Sequence, residues 1–306
     1  MTAVSVLMPV YNAERYVAEA VESILAQTFR DFEFIIVDDG STDNSLAILR
    51  HYAEQDDRIR LVSRENKGLV VSLNEMIGLA RGDLIARMDA DDVALLERFA
   101  LQVAYLNSHP EVICLGGRIR EIDDRGRILA DFPPIQGDSV IQENLLKGCN
   151  SFTHASVMMR RDPLLAVGGY RASMILAEDL DLWLRLGEVG RLENLPQVVV
   201  HYRVHRESVS SRHAARQLEV TKTASDEACD RRGLPRCYQP FDSHRPVEGR
   251  VSRHEFALKY GWWSFCRGDR LMAFQFGLQS IWWVPWRTTG WRLVVCALLK
   301  TTARPS

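Results

Sequence analysis

The chain has 306 residues, of which 46% are hydrophobic and 25% charged, and a net charge of −2. That suffices for one large core, or one core plus an appendage, and it excludes a disordered or low-complexity chain. No apolar run reaches the roughly 18–20 residues of a spanning helix, and Met1–Pro9 lacks the basic start of a signal peptide, so neither membrane insertion nor secretion is expected.

Charge and aromatic residues are unevenly placed. Residues 1–110 carry 10 Lys/Arg and 18 Asp/Glu, whereas residues 245–306 carry 10 and 3. Six of the seven tryptophans lie between residues 262 and 291, so the acidic front and the basic, indole-rich tail point to separate jobs. Six cysteines (114, 149, 229, 237, 266 and 296) show neither CxxC nor zinc spacing. They are expected as reduced, mostly core thiols of a cytosolic protein.

The first hundred residues alternate strand and helix. Val4–Met8 is strand-like, and over 13–28 the residues Val17, Val21, Ile24 and Thr28 fall on one helical face. Strand Phe32–Val37, helix Ser45–Ala53 (with Leu46 and Leu49 spaced for burial), strand Ile59–Val62, helix 69–80 and strand Leu84–Ala86 follow, with a further helix over 94–107. Such alternation predicts an α/β fold with a mostly parallel sheet and helices on both faces. Ligands of such sheets bind beyond the carboxyl ends of the strands, where this chain places Tyr11 and Asn12, Asp38 to Ser41, and Asp89 to Asp92. Residues 118–132 then read as a hairpin turning at Asp123–Gly126, followed by helix 138–147, a strand over 156–160, a Gly168-Gly169-Tyr170 turn, a helix from Glu178 and a strand over 198–202. On the helix from Glu178, Leu180, Trp183 and Leu184 face inward, and Asp181 and Arg185 form a modest i,i+4 pair. Beyond about 212 the pattern is helical, broken by a loop over 233–249, with Leu271, Phe274, Leu278 and Ile281 as an apolar stripe.

Several clusters could carry chemistry. Asp38-Asp39-Gly40-Ser41-Thr42-Asp43 follows a buried strand, where a carboxylate can accept the imide N–H of a uracil and Gly40 permits a sharp turn. Equally, Asp43 could cap the next helix. Asp89-Ala90-Asp91-Asp92 concentrates three carboxylates that repel one another unless a cation sits among them, and hard oxygen ligands suit Mg²⁺ or Mn²⁺. One of these acids could instead cap helix 94–107. Glu178-Asp179 opens a helix, either as ordinary first-turn acids or with Asp179 as a general base. His154, Arg203 and His205 could meet phosphate or metal, and Tyr11 and Phe152 could stack on a base or sugar or simply pack.

The ordered series of motifs resembles a family 2 glycosyltransferase with the GT-A fold. The matching segments are Pro9-Val-Tyr-Asn12, Val37 to Asp43, Asn66-Lys-Gly68 with Leu73-Asn74, Ala86 to Asp92, His154 to Met158, Gly168 to Tyr170, Glu178 to Arg185 and Tyr202 to His205, which together cover about residues 3–211. The resemblance implies an inverting transferase that uses a nucleotide-diphosphate sugar, commonly a UDP-sugar, and a glycan or lipid-linked acceptor in cell-surface polysaccharide synthesis. It places Pro9, Tyr11, Asn12, Asp38, Asp39, Asn66, Asn74, Asp89 and Arg203 at the donor. Asp89, Asp91 and His205 would hold a divalent cation, Asp179 would be the catalytic base, and Glu178 and His154 would lie on the acceptor side. Two departures from the family pattern, Ala155 after His154 and Ala94-Leu95-Leu96 where a proline is common, bear on loop stiffness.

The expected organisation is a GT-A domain over 1–211 and a helical extension over 212–306. Indole beside arginine suits an anionic membrane surface better than nucleic acid, so the extension is expected either to dock peripherally on the inner face of the cell membrane or to pack as core. A nucleotidyltransferase would need a Gly-rich, basic loop after strand one, and Pro9-Val-Tyr-Asn-Ala13 is neither. A non-catalytic nucleotide-sugar-binding subunit is the remaining alternative.

Overall fold

The computed structural model describes residues 2–131, 133–204, 214–240 and 249–299. Contacts divide the chain into two compact units. The first takes the described parts of 1–119, 132–203 and 215–241, and the second those of 120–131, 204–214 and 242–306.

The first unit is an α/β structure built as the alternation predicts. Strands β1 (Val4–Val10), β2 (Phe32–Asp39), β3 (Ile59–Arg64) and β4 (Leu84–Arg87) are joined by helices α1 (Val17–Leu25), α2 (Ser45–Gln55) and α3 (Leu69–Leu79). The order β3-β2-β1-β4 is parallel throughout. The sheet continues through β8 (Met158–Arg160), β6 (Val112–Ile122), β9 (Arg191–Arg203) and β5 (Val93–Ala94), with β8 antiparallel to β4 and β6. The fold class is therefore a mostly parallel sheet with helices around it.

Alternation along the strands makes two cores, one on each face of the sheet. Leu7, Ile35 and Val37 enter one, together with Trp183 and Leu184 of α7 (Glu178–Leu186). Val6, Met8, Phe34 and Ile36 enter the other, together with Val17, Val21 and Ile24 of α1. Each fully buried aliphatic or aromatic side chain contributes about 1.5–3 kcal/mol, so these faces fix the register that delivers the polar strand ends to one edge. The predicted helix over 94–107 begins later, as α4 (Arg98–Ser108), because Val93 and Ala94 pair with Val200 and His201 of β9. Thr28, assigned to the face of α1, lies past its end and is exposed.

Helix α8 (Ala214–Arg231), beyond the expected boundary near 212, buries Val220, Ala224, Ala228 and Cys229 in the first unit's core. Cys114 and Cys229 are the two buried thiols, Cys266 is exposed, and none of the six cysteines forms a disulfide.

The second unit contains the end of β6, strand β7 (Ile128–Asp131) and helices α9 (Arg250–Cys266), α10 (Arg270–Trp283) and α11 (Thr288–Leu299). The hairpin turns at Asp123, whose carboxylate accepts the backbone N–H groups of Arg125 and Arg127, as the turn chemistry predicts. Leu129 and Ala130 of β7 pack on Ala257, Tyr260, Met272 and Phe276. The stripe Leu271-Phe274-Leu278-Ile281 does not face this core. The buried side of α10 is Met272, Ala273, Phe276, Gly277 and Ser280, because Gly277 admits Val294 so closely that a Cβ there would lie 2.6 Å from its Cγ2. No helix among the described residues is long and apolar enough to cross a membrane.

Candidate active site

The carboxyl ends of β1 and β2 carry the first cluster. Register places Pro9 opposite Val37 and Val10 opposite Asp38, so the loops after both strands meet. Asn12, in the left-handed region at φ 51°, accepts the Thr42 N–H at 2.8 Å and donates its own backbone N–H to Ser41 Oγ. Asp43 accepts the N–H groups of Glu14 and Ser45, which ties the same two loops, and α2 begins without a side-chain cap. Tyr11 stands out, 54% exposed, whereas Pro9 is half-buried. Asp38 is buried and accepts from Ser63 Oγ at 3.1 Å.

Asp39 is also buried, and its oxygens receive the backbone N–H groups of Lys67 (2.8 Å) and Gly68 (2.9 Å) and the guanidinium of Arg64. It thus builds the loop that carries the exposed Asn66. Gly40 is required beside it: at φ +74° it brings the chain so near that a Cβ would sit 2.7 Å from the Asn66 nitrogen.

The second cluster follows β4. Ligand oxygens of Asp89, Asp91 and Asp92 all lie within 4.8 Å of one another. Burial raises the proton affinity of Asp89 and Asp92, and the neighbouring carboxylates raise it further. Asp92 is fully buried, with one oxygen accepting the Arg203 N–H at 2.7 Å and the other without a hydrogen-bond partner. An orphaned buried carboxylate oxygen beside two more acids suits a hard cation, so the residues fit a divalent ion, with Asp92, one of the three carboxylates read around a cation, joining Asp89 and Asp91. None of these acids caps a helix, since α4 begins at Arg98 with no side-chain cap.

Arg203, expected at the donor, is engaged within the fold. Its guanidinium, 2% exposed, donates to the Asp91 carbonyl at 2.8 Å, pairs with Glu19 at 2.6 Å and lies over the Tyr16 ring. It holds the acidic loop in place. His205 lies outside the described residues. Asn74 likewise acts as a clamp: its amide both donates to and accepts from the Tyr170 backbone, at 2.8 and 2.9 Å. Phe152 is buried against Trp183, a core role.

The third cluster opens α7. Asp179 accepts from Asn150 Nδ2 at 2.6 Å and from the Leu180 N–H at 2.7 Å, while Glu178 accepts the Leu176 N–H. Burial raises both carboxyls, and the adjacent Asp179 helps push Glu178 up to about 7. His154 bonds the Tyr170 hydroxyl at 2.7 Å, and burial, with Arg87 nearby, holds its imidazole well below the usual range and therefore neutral.

Arg87 joins the second and third clusters, and sequence reasoning passed it by. Almost fully buried, it pairs with Asp89, and its charge acts on Asp92, His154, Tyr170, Glu178 and Asp179. A cation at the end of a strand, two residues before an acid on the same side, was the available signal. Arg98 braces it by donating to the Arg87 carbonyl at 2.8 Å. Burial, with Arg87 adding to it, pulls the Arg98 guanidinium down to about 9.

The arrangement offers a loop pair for a base, an acid cluster for a cation and diphosphate, and a carboxylate pair to take a proton. The model of the glycosyl transferase family 2 domain matches residues 5–168. The chain is 36% identical over 238 residues to the putative glycosyltransferase EpsE of Bacillus subtilis, covering 76% of this chain and 84% of that protein. It is 34% identical over 209 residues to the O-antigen biosynthesis glycosyltransferase WbnJ of Escherichia coli, covering 67% and 81%. Among solved structures, residues 1–349 of S. aureus TarS in complex with UDP-GlcNAc superpose with a TM-score of 0.60 at 15% identity, covering 99% of this chain and 93% of that one. That likeness shows the GT-A fold.

Proposed function

The chain belongs to glycosyl transferase family 2, and from that premise we propose that it transfers a sugar, with inversion, from a UDP-sugar to a hydroxyl of a glycan or lipid-linked acceptor in cell-surface polysaccharide synthesis. The observation that carries the reading is the placement of Arg87, whose charge acts on both the acid cluster and the Glu178–Asp179 pair. UDP-GlcNAc bound to TarS and the O-antigen role of WbnJ support the donor and the acceptor class.

Asp38, Asp39 and the Asn12 loop receive the base, with Tyr11 and Asn66 exposed beside them. Asp89, Asp91 and Asp92 would hold a divalent cation, Mg²⁺ or Mn²⁺, which when bound neutralises charge on the departing diphosphate. Asp179 removes the proton of the acceptor hydroxyl as its oxygen attacks the anomeric carbon from the face opposite the leaving group. The Asn150 amide and Leu180 N–H aim that carboxylate and favour its ionised form. Arg87 keeps negative charge tolerable at both ends of the reaction, and neutral His154 with Tyr170 lines the acceptor side. Arg203 and Asn74 position these groups and leave binding to others.

A thermal-shift screen against UDP-sugars, with and without Mn²⁺, tests the reading, because a ligand of the folded state raises its stability by mass action. Asp39→Ala is expected to weaken UDP binding whether or not metal is present, and Asp91→Ala to remove only the metal-dependent part. Asp179→Asn keeps donor binding but loses about 10²–10⁴-fold in turnover. Turnover of Asp179→Asn within a few-fold of wild type would return that residue to a helix-start role.

A further inference from the structure

Five of the six tail tryptophans fall into two groups, and the sixth, Trp283, is half-buried under Arg253. Trp262 and Trp263 pack against the cores of the second unit. Trp282, Trp286 and Trp291 are 81%, 72% and 52% exposed. These three belong to one end of the unit, where three helix ends converge. His254 of α9 is fully buried, with one ring nitrogen 2.8 Å from Ser280 Oγ of α10 and the other 3.1 Å from Thr289 Oγ1 of α11. At this end Arg253 stacks on Trp283 at 4.4 Å, Arg287 pairs with Glu255 at 3.5 Å, and Trp291 Nε1 donates to the Pro285 carbonyl at 3.1 Å.

Apolar stripes run back from the indoles. Leu271, Leu278 and Trp282 recur at i, i+7 and i+11 on α10, and Trp291, Val295 and Leu298 at i, i+4 and i+7 on α11, all of them exposed. Residues 249–299 hold seven Lys/Arg against two acids, Glu255 and Asp269. Both acids are engaged, Glu255 by Arg287 and Asp269 by the Met272 N–H that it caps.

We propose that this end of the helical unit docks on an anionic phospholipid bilayer, with Trp282, Trp286 and Trp291 at headgroup level and Arg287 and Arg292 facing lipid phosphates. Indole is amphipathic and settles at the membrane–water interface, and arginine is drawn to an anionic surface. The exposed aliphatic residues bury in the acyl boundary, a gain that a nucleic acid would not give. A second copy would bring two surfaces of like charge together, which is unfavourable. No described helix can cross the bilayer, so the docking is peripheral. The proposal deepens the reading of a membrane-borne acceptor, and its test measures binding alone, so the two can fail separately.

The test is flotation of the full chain with phosphatidylcholine vesicles, with and without phosphatidylglycerol. We expect co-flotation only with the anionic lipid, partial release at high salt as surface charge is screened, and a blue shift of tryptophan emission on binding. Trp282→Ser/Trp286→Ser is expected to reduce flotation to background. Arg287→Glu/Arg292→Glu should reduce partitioning by about tenfold or more. Unchanged far-UV circular dichroism and thermal unfolding would show that both variants fold. The proposal is overturned if the full chain stays in solution at low salt, floats equally with neutral vesicles, or floats unchanged in both folded variants. Loss of a wild-type oligomer in the tryptophan variant, without any lipid binding, would assign the face to a second copy. Capture by single-stranded oligonucleotides, without lipid binding, would assign it to nucleic acid.

Discussion

Glu178 shows how a single carboxyl records its surroundings. Desolvation and the neighbouring Asp179 raise its pKa from 4.5 to about 7, with Arg87 opposing them. A carboxyl with a raised folded-state pKa holds its proton more tightly in the folded chain than in the unfolded one. The stability this contributes is present below about 4.5 and is lost as pH rises through about 7. Glu178→Gln removes the loss. The variant should therefore gain on wild type as pH rises from 5 to about 7 and level off by 8, by about 1–3 kcal/mol in all after allowing for solvent screening. Urea unfolding at the two pH values checks this, and a difference that does not change with pH would show that Glu178 ionises freely. Burial raises Asp179 as well, and the Leu180 N–H and the Asn150 amide that it accepts oppose that rise.

Helix α7 presents those two acids, and its own anchor is stronger than its sequence suggests. The Asp181–Arg185 spacing reads as a modest i,i+4 pair. In the fold Asp181 is fully buried and bonded by both Arg171 and Arg185, and Arg185 also donates to the carbonyls of Val167 (2.7 Å) and Gly169 (2.8 Å). Removing the shared acid strands buried guanidinium charge. Asp181→Ala is thus expected to cost about 3–5 kcal/mol in chemical denaturation, against a few tenths for an exposed pair. The contrast marks what was legible. The alternation from β1 to β4, the acids at the strand ends and the hairpin at Asp123 follow from local period and turn chemistry. The structural roles of Arg203 and Asn74 depend on partners about a hundred residues away, Asp91 for Arg203 and Tyr170 for Asn74, which no spacing reveals. The stripe on α10 shows a further limit. Period locates an apolar face, but Gly277 and Ala273 permit closer packing than leucine, so the small-residue face went inward and Leu271 and Leu278 outward.

At the scale of the whole molecule, the second unit is discontinuous in sequence. Its helices bury Leu129 and Ala130 of a hairpin that belongs to the middle of the chain. A chain ending at residue 249 therefore loses more than an appendage. It is expected to bind a hydrophobic dye and to aggregate in gel filtration, whereas a separable tail would leave a monodisperse remainder. The same layout governs the moment of synthesis. The ribosome makes the hairpin early and its covering helices much later, a wait of roughly 6–25 s at about 5–20 residues per second. Through that interval a strand with an apolar face is bare in the nascent chain. The charged run Asp123-Asp124-Arg125-Gly126-Arg127 beside it is then well placed as a gatekeeper against pairing with other nascent chains.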